Sequence, residues 1–137
     1  MFNQDVQITF SLAVREAQRR QHEFLTTEHV LYALLFDEHG RDILQACGGD
    51  VDSLREDLES FFDLHMERLD RSEEEMPEQT VGLQDVLQRT VTHMQSSGRE
   101  EIGVGDVLAA ILEQENCMGA EILRSEGVSR LDVLNYI

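Results

Sequence analysis

The sequence contains an internal repeat whose two copies lie about 77 positions apart and share both apolar residues and turn signals. The segment 25–35, LTTEHVLYALL, aligns with the segment 102–112, IGVGDVLAAIL. Matches continue on the N-terminal side, where Val6, Phe10, Val14 and Ala17 align with Leu83, Leu87, Val91 and Met94. Because a fixed period of this length corresponds to one supersecondary unit per copy, the repeat constrains the fold more than any other feature.

Each copy is predicted to contain four short helices, since apolar residues recur at steps of three and four. The first helix of each copy follows an N-cap residue, Asn3 in one copy and Thr80 in the other. The second helices start after Thr26 and after Gly103, and both are apolar on most sides, which is typical of central helices. Matching caps are harder to obtain by chance than matching leucines, so the repeat is interpreted as structural.

The third and fourth helices are predicted from stop and start signals in each copy. The third helices cover residues 42–47 and 120–126, because a glycine follows each of them at the usual helix C-terminal position. The fourth helices are predicted to begin after the capping residues Asp52 and Ser129. No segment alternates apolar and polar residues between turn signals, so no sheet is predicted.

Residues 63–79 join the copies, contain the only proline and an acidic run, and are interpreted as a solvated linker. Neither copy is large enough to bury a sufficient core alone, so the two are expected to share one. We therefore predict one all-α domain over residues 1–137, with tandem four-helix repeats at about 1–62 and 80–137. The repeats pack with pseudo-twofold symmetry and give about eight helices in a domain that is monomeric in isolation.

The charge balance is strongly acidic, with a net charge of −17. A field of this sign repels phosphate groups, so nucleic acid and anionic membranes are disfavoured as partners and a basic protein surface is favoured. No apolar run has the length of about 18 residues that a membrane span needs, and no signal peptide is recognised, so a cytoplasmic location is expected. Residues 134–137 continue an amphipathic pattern without a stop signal, which suggests a piece of a longer protein.

Motifs of enzymes and of metal sites are sparse. The sequence has no Gly-x-x-x-x-Gly-Lys loop, no Gly-x-Ser-x-Gly elbow and no His-Glu-x-x-His pair, so neither catalysis nor a cofactor is expected in this domain. Cys47 and Cys117 lack the spacing of a disulfide framework and are interpreted as buried thiols. A metal-binding or sensory regulatory domain is the alternative function, and its candidate residues are His22, Glu23 and His93, whose spacing matches no standard ligand pattern.

Four stretches carry a resemblance to a known family: residues 22–35, 86–89, 95–99 and 128–134. Together with the in-register repeat, they resemble the N-terminal domain of the Clp AAA+ unfoldases, and the ClpA type most of all. The resemblance covers essentially the whole chain and implies a non-catalytic docking domain tethered above a hexameric ATPase ring. It places ATP and Mg²⁺ in ATPase modules outside this sequence. It also implies that the partners are protein substrates, the adaptor ClpS, which delivers N-degron substrates, and the ClpP peptidase.

The adaptor surface of the family, carried over to matching positions, implies partner contacts at Glu23, Glu28, Thr80, Arg89 and His93. Each residue also has a local interpretation that needs no partner. Glu28 lies in the first turn of a helix, where the dipole favours a negative charge, and Thr80 is an N-cap. Arg89 and His93 lie one turn apart on the same helix face. In the local interpretation Arg89 pairs with Asp85, four residues earlier, and His93 is a solvated side chain.

Two departures from the family pattern affect these expectations. Asp85 stands where relatives of the ClpA type can carry a basic residue, and it lies four positions before Arg89, so a surface ion pair between them is expected. Residues 103–106, GVGD, replace the second of the paired Thr-x-Glu-His turns through which ClpC-type relatives bind phosphoarginine. That activity is therefore not expected, and the partner is expected on surfaces where the two copies differ.

Overall fold

A computed structural model describes all 137 residues and contains eight helices. In chain order they are α1 Gln4–Arg19, α2 Thr27–Leu34, α3 Glu38–Ala46, α4 Val51–His65, α5 Val81–Ser97, α6 Val104–Glu113, α7 Met118–Ser125 and α8 Arg130–Tyr136. Two strands of two residues, β1 Phe24–Leu25 and β2 Glu78–Gln79, accompany them. The prediction of an all-α fold with about eight helices is confirmed. None of the helices combines the length and apolar character that crossing a bilayer requires.

Several of the predicted helix caps are present with the expected hydrogen bonds. The side chains of Asn3 and Thr80 accept hydrogen bonds from the backbone N–H of the third residue of α1 and α5, at 2.9 and 3.2 Å. Ser129 caps α8 in the same way at 3.1 Å. Gly48 and Gly127 follow α3 and α7 with φ of +90° and +84°, a backbone region that other residues adopt only with strain.

The start of α3 differs from the sequence-based prediction. The helix begins at Glu38, four residues earlier than predicted, because Asp37 is its N-cap and accepts a hydrogen bond from the N–H of Gly40 at 2.8 Å. Gly40 concealed this first turn in the sequence, since glycine is a poor helix former. A Cβ at this position would lie 2.5 Å from the carbonyl oxygen of Leu34, so the close approach of the two backbones requires glycine.

The starts of α4 and α7 also fall earlier than predicted. α4 begins at Val51 rather than after Asp52, because the side chain of Asp50 accepts hydrogen bonds from two backbone N–H groups at 3.0 and 3.2 Å. α7 begins at Met118, two residues before the predicted start. Its N-cap residue, Cys117, makes no side-chain cap hydrogen bond, so no local polar signal marks this helix start.

A short parallel strand pair shows that the prediction of no sheet was wrong. β1 pairs with β2, which places Leu25 opposite Gln79, and a single bridge joins Phe2 to Ile102. In the repeat alignment, Gln79 is equivalent to Phe2 and Ile102 to Leu25, so the two pairings are related by the pseudo-twofold axis. Strands of two residues are too short to produce an alternating pattern, which is why the sequence did not reveal them.

One hydrophobic core of 32 buried apolar residues is shared by the two repeats. α2 and α6 lie at its centre, since all eight residues of α2 and most residues of α6 are buried. α1 packs on α2, and α5 packs on α6, so each repeat covers its central helix with its first helix. The shared core agrees with the expectation that units of this size bury too little surface alone.

The segment between the repeats is shorter and better anchored than a free linker. α4 continues to His65, which leaves residues 66–77 as the irregular part. The side-chain amide of Gln21 donates to the carbonyl of Arg71 at 2.5 Å, and the Arg71 guanidinium forms an ion pair with Glu75 at 2.9 Å. The first contact fastens the segment to the loop after α1, and the second lies within the segment. Residues 73–75 of its acidic run are exposed.

Candidate functional site

The β1–β2 pair brings Glu23 and Thr80 to the same edge of the domain. The backbone N–H of Glu78 donates to the carbonyl of Glu23 at 3.0 Å, and the N–H of Thr80 donates to the carbonyl of Leu25 at 3.1 Å. The Glu23 side chain is exposed, and Thr80 is the cap of α5 beside it. Two of the five residues implied by the family surface are therefore neighbours, although they lie in different repeats.

Arg89 and His93, one turn apart on α5, converge on the carboxylate of Glu113 at the end of α6. Arg89 Nε lies 3.3 Å from Glu113 Oε2, and His93 Nε2 lies 3.2 Å from the same oxygen. Arg130, the first residue of α8, reaches Glu113 Oε1 at 2.6 Å. One carboxylate thus orients these three side chains, and its single negative charge offsets one of the two guanidinium charges.

Gln114 connects the group of residues around Thr80 with the group around Arg89. Its Oε1 accepts a hydrogen bond from Arg89 at 2.9 Å, and its Nε2 lies 3.9 Å from the position that a Cβ on Gly82 would occupy. Thr80 and Arg89 are separated by about 14 Å along the axis of α5. These side chains therefore form one continuous surface, which we name the α5 strip. It consists of Glu23, Thr80, Arg89, His93, Glu113 and Gln114.

The unpaired charges at the strand-pair end of the α5 strip are acidic. Arg89 pairs with Glu113 rather than with Asp85, which corrects the expected surface pair on α5. Asp85 is exposed, as are Glu23 and Glu78 at the strand pair. A partner that places basic groups against this end of the strip is therefore favoured electrostatically.

Glu28 does not lie on the α5 strip, which corrects its expected place on the exposed adaptor surface. Its side chain is buried, and its Oε2 accepts hydrogen bonds from the backbone N–H of Gly119 at 2.9 Å and from the Cys117 thiol at 3.3 Å. These donors form the N-terminus of α7, which has no side-chain cap of its own. The equivalent helix α3 is capped by its own Asp37. Glu28 thus supplies from repeat one the cap that repeat two lacks.

His22 and His29 form a buried pair behind the first turn of α2. The N–H of Thr26 donates to His29 Nδ1 at 3.0 Å, so the hydrogen of this neutral ring is on Nε2 and is donated to His22 Nδ1 at 2.8 Å. The His29 ring stacks on Phe62 with 4.7 Å between the ring centroids. Burial, together with the neighbouring His22, lowers the pKa of His29 to about 3. Burial also lowers the pKa of His22.

The candidate metal ligands are not brought together. His22 is buried against His29, whereas Glu23 is exposed beside β2 and His93 contacts Glu113 on the surface of α5. Nowhere in the chain do three or more His, Cys, Asp or Glu side chains meet in an arrangement that could hold a metal ion. The geometry therefore gives no support to the alternative function based on His22, Glu23 and His93.

Sequence reasoning missed Glu113, Gln114 and Arg130, although the repeat alignment contains a signal for the first of them. Glu113 is equivalent to Phe36 in the first copy, and Arg89 is equivalent to Leu12. Phe36 and Leu12 are both exposed, so the same surface is apolar in one repeat and charged in the other. Gln114 and Arg130 join the site only through tertiary contacts, which no local pattern indicates.

Neither cysteine is expected to react with a thiol reagent in the folded protein at pH 8. Both side chains are buried, burial raises the pKa of Cys47, and burial together with the Glu28 carboxylate raises the pKa of Cys117 to about 11. The thiolate is the reactive form, so little of it is present at pH 8. Titration with a chromogenic disulfide should show no rapid phase before denaturant is added, and two thiols afterwards. A rapid phase in native protein would contradict the prediction.

A domain of two helical repeats with one shared core matches an established domain family. Residues 1–126 match the Clp repeat (R) N-terminal domain family, and the chain belongs to this family. Over 139 aligned positions it is 32% identical to the ClpA homolog protein of Fuscovulum blasticum. The alignment covers 99% of this chain and 17% of that protein, so the chain spans a small part of the relative's length.

Solved structures of Clp N-terminal domains share the fold. The N-terminal domain of Hsp104 from Candida albicans superposes with a TM-score of 0.82 at 13% identity, over 98% of this chain and 87% of that one. The N-terminal domain of ClpD from Arabidopsis thaliana superposes with a TM-score of 0.76 at 16% identity, over 98% of this chain and 93% of that one. The N-terminal domain of ClpV1 from E. coli superposes with a TM-score of 0.72 at 23% identity, over 98% of this chain and 82% of that one. In Clp ATPases this domain is non-catalytic and serves in general to bind substrates or adaptors.

Proposed function

We propose that this chain is the docking domain of a ClpA-like unfoldase and that its α5 strip binds the adaptor ClpS, which delivers N-degron substrates. The observation that carries the proposal is the continuity of the α5 strip. Glu23, Thr80, Arg89 and His93, which the family resemblance implies as contacts, adjoin one another through the strand pair and through Gln114. Glu28 takes no part in the α5 strip, because its side chain is buried against the N-terminus of α7.

The α5 strip has physical properties that suit a protein partner. Arg89, His93 and Arg130 are held by Glu113, so their side chains lose less conformational entropy on binding than free ones. The exposed carboxylates at the strand pair add electrostatic steering toward a basic surface, which raises the association rate more than the affinity. A strip of this kind offers oriented polar contacts, as expected for an adaptor that binds and dissociates repeatedly.

Docking is sufficient for the proposed function, because the domain needs no chemistry of its own. An adaptor or substrate held on a tethered domain is concentrated near the pore of the ring, an effect of multivalency. In this proposal ATP and Mg²⁺ act in ATPase modules outside the chain, ClpP degrades the unfolded substrate, and the assembly works in the cytoplasm.

A structure similar to this fold supports protein segments as ligands. That structure is described as a peptide from the EAEC T6SS Sci1 SciI protein. It superposes on this chain with a TM-score of 0.75 at 23% identity, over 98% of this chain and 85% of that one. The proposal extends this class of ligand to the present domain. It assigns the adaptor to the α5 strip rather than to a metal-dependent or catalytic site.

Titration of fluorescently labelled ClpS with this domain is expected to give saturable binding that weakens as salt is raised. Glu23→Lys and His93→Ala are each expected to weaken binding about tenfold, or about 1.4 kcal/mol. The first reverses an exposed charge of the strip, and the second removes a side chain that Glu113 orients. Both residues are exposed, so the melting temperature should stay close to that of the wild type.

Glu56→Lys is the matched control. Glu56 is exposed on α4, and its replacement by lysine changes the net charge by the same amount as Glu23→Lys does. It should leave ClpS binding nearly unchanged. The absence of saturable binding at low salt would refute the proposal. Equal binding by the Glu23→Lys, His93→Ala and Glu56→Lys variants would show that ClpS does not use the α5 strip.

A further inference from the structure

A surface groove lies between α4 of repeat one and α7 of repeat two, with a volume of about 390 Å³. α4 contributes Asp57, Phe61 and Leu64, and α7 contributes Met118, Glu121 and Ile122. Their spacings, i, i+4, i+7 on α4 and i, i+3, i+4 on α7, place each set on one face of its helix. The full lining runs from residue 57 to 65 on α4 and from 118 to 125 on α7, so each face is about two turns, or about 10 Å, long. We call this feature the α4–α7 groove.

The α4–α7 groove exposes large apolar side chains that the core does not need. Leu64 is 77% exposed and Met118 is 40% exposed, whereas the core faces of the same helices use other residues. Phe61 and Ile122 form its more buried floor. Burying an exposed leucine is worth about 1.5–3 kcal/mol, so covering this groove offers a substantial gain to a complementary partner.

The charges around the groove determine which charge a partner should carry. Asp57 and Glu121 are both exposed at its edges, and no lysine or arginine lines it. The single histidine there, His65, lies against the Phe61 ring at 5.7 Å between centroids. The whole chain carries a net charge of −17, so its overall field also attracts basic groups. An apolar groove with acidic edges favours an apolar segment flanked by basic residues.

The two ends of the groove differ. Ser53 Oγ donates to Glu126 Oε2 at 2.9 Å and links the N-terminal turn of α4 to the residue that follows α7. The other end, between Leu64 and Met118, has no such link and carries the most exposed apolar groups. A ligand that lay along both helices for about two turns would cover the open end, which is the way an amphipathic helix lies in a groove.

We propose that the α4–α7 groove is a second docking site, which binds a short amphipathic helix of a protein partner with apolar residues at i, i+3, i+4 and i+7 flanked by Lys or Arg. This site lies on helices other than α5 and therefore goes beyond the adaptor function proposed for the α5 strip. Apolar insertion between α4 and α7 supplies affinity, and the carboxylates of Asp57 and Glu121 select basic flanks.

A labelled peptide with leucines at these four positions and basic flanks tests the proposal by fluorescence anisotropy. Binding is expected to be saturable, and Leu64→Ser and Met118→Ser are each expected to weaken it about tenfold by removing apolar contact. A peptide of the same composition in scrambled order controls for attraction between a basic peptide and an acidic domain. Because Leu64 and Met118 are exposed, neither variant should lower the melting temperature appreciably.

Leu12→Ser is the matched domain control, because Leu12 belongs to the other exposed apolar surface, on α1 beside Phe36. The variant should bind the peptide as the wild type does. Loss of binding in Leu12→Ser but not in Leu64→Ser would place the peptide on α1 and overturn the proposal. Equal binding of the ordered and scrambled peptides would also overturn it. ClpS titration of the Leu64→Ser variant keeps the two proposals separate, since the α5 strip is intact there.

Discussion

Replacing Glu28 by alanine is expected to destabilise the domain by about 3 kcal/mol, with a fall in melting temperature of about 10 °C. The Glu28 carboxylate is the acceptor for the N–H of Gly119, and its removal leaves a buried donor at the N-terminus of α7 without a partner. An unsatisfied buried group costs about 1–3 kcal/mol, and the loss of a negative charge at a helix N-terminus adds to this. Urea unfolding followed by circular dichroism measures the change.

Glu23→Ala is the matched control for this experiment. Glu23 carries the same side chain five positions earlier but is exposed, so its replacement should change the unfolding free energy by less than about 0.5 kcal/mol. The Glu28→Ala variant should also make Cys117 more reactive, because the thiol loses its buried acceptor and α7 its cap. If Glu28→Ala were as stable as Glu23→Ala, the assignment of Glu28 as the cap of α7 would be wrong.

The stability of the domain is expected to fall by about 2 kcal/mol between pH 7 and pH 5 through His29 alone. In the folded chain the pKa of His29 is about 3, whereas in the unfolded chain it returns to about 6.5. Between these values the unfolded chain binds a proton that the folded chain does not, so acid favours unfolding. The stabilisation is complete above pH 6.5 and is lost progressively below it. The lowered pKa of His22 acts in the same direction.

His29→Gln tests the origin of this dependence. Glutamine is a usual residue at this position of a capping box, so it can accept from the N–H of Thr26 without titrating in this range. The slope of unfolding free energy against pH should become shallower in His29→Gln and stay unchanged in a variant of the exposed His39. Urea midpoints at pH 7, 6 and 5 supply the comparison. An unchanged slope in His29→Gln would contradict the buried-pair interpretation.

The local parts of the fold were predictable because their causes are local. Asn3, Thr80 and Ser129 cap helices through bonds that span three residues, so a short stretch of sequence contains both partners. The apolar stripes of α1 and α5 are likewise properties of one helix each. α3 was predicted to start too late because Gly40 is a poor helix former that is retained for a contact with the distant backbone of Leu34.

The candidate site was predictable only in part, for a related reason. The family resemblance indicated Glu23, Thr80, Arg89 and His93, and the structure brings these four residues onto one surface. It could not indicate Glu113, because the convergence of α5, α6 and α8 on that carboxylate is a result of packing. The expected ion pair between neighbouring residues of α5 failed because a better-placed carboxylate from α6 competes for the same guanidinium.

The sequence alone determined the double helical repeat, most of the caps and stops, the acidic character and the family. Each of these depends on periodicity, on residues within one turn of each other, or on composition. Only the tertiary structure decided that Glu28 is a buried cap of α7, that His22 and His29 form a pair, and that α4 and α7 leave an apolar groove. The physical reason is that burial and partnership arise from packing between repeats, and no interval along the chain encodes them.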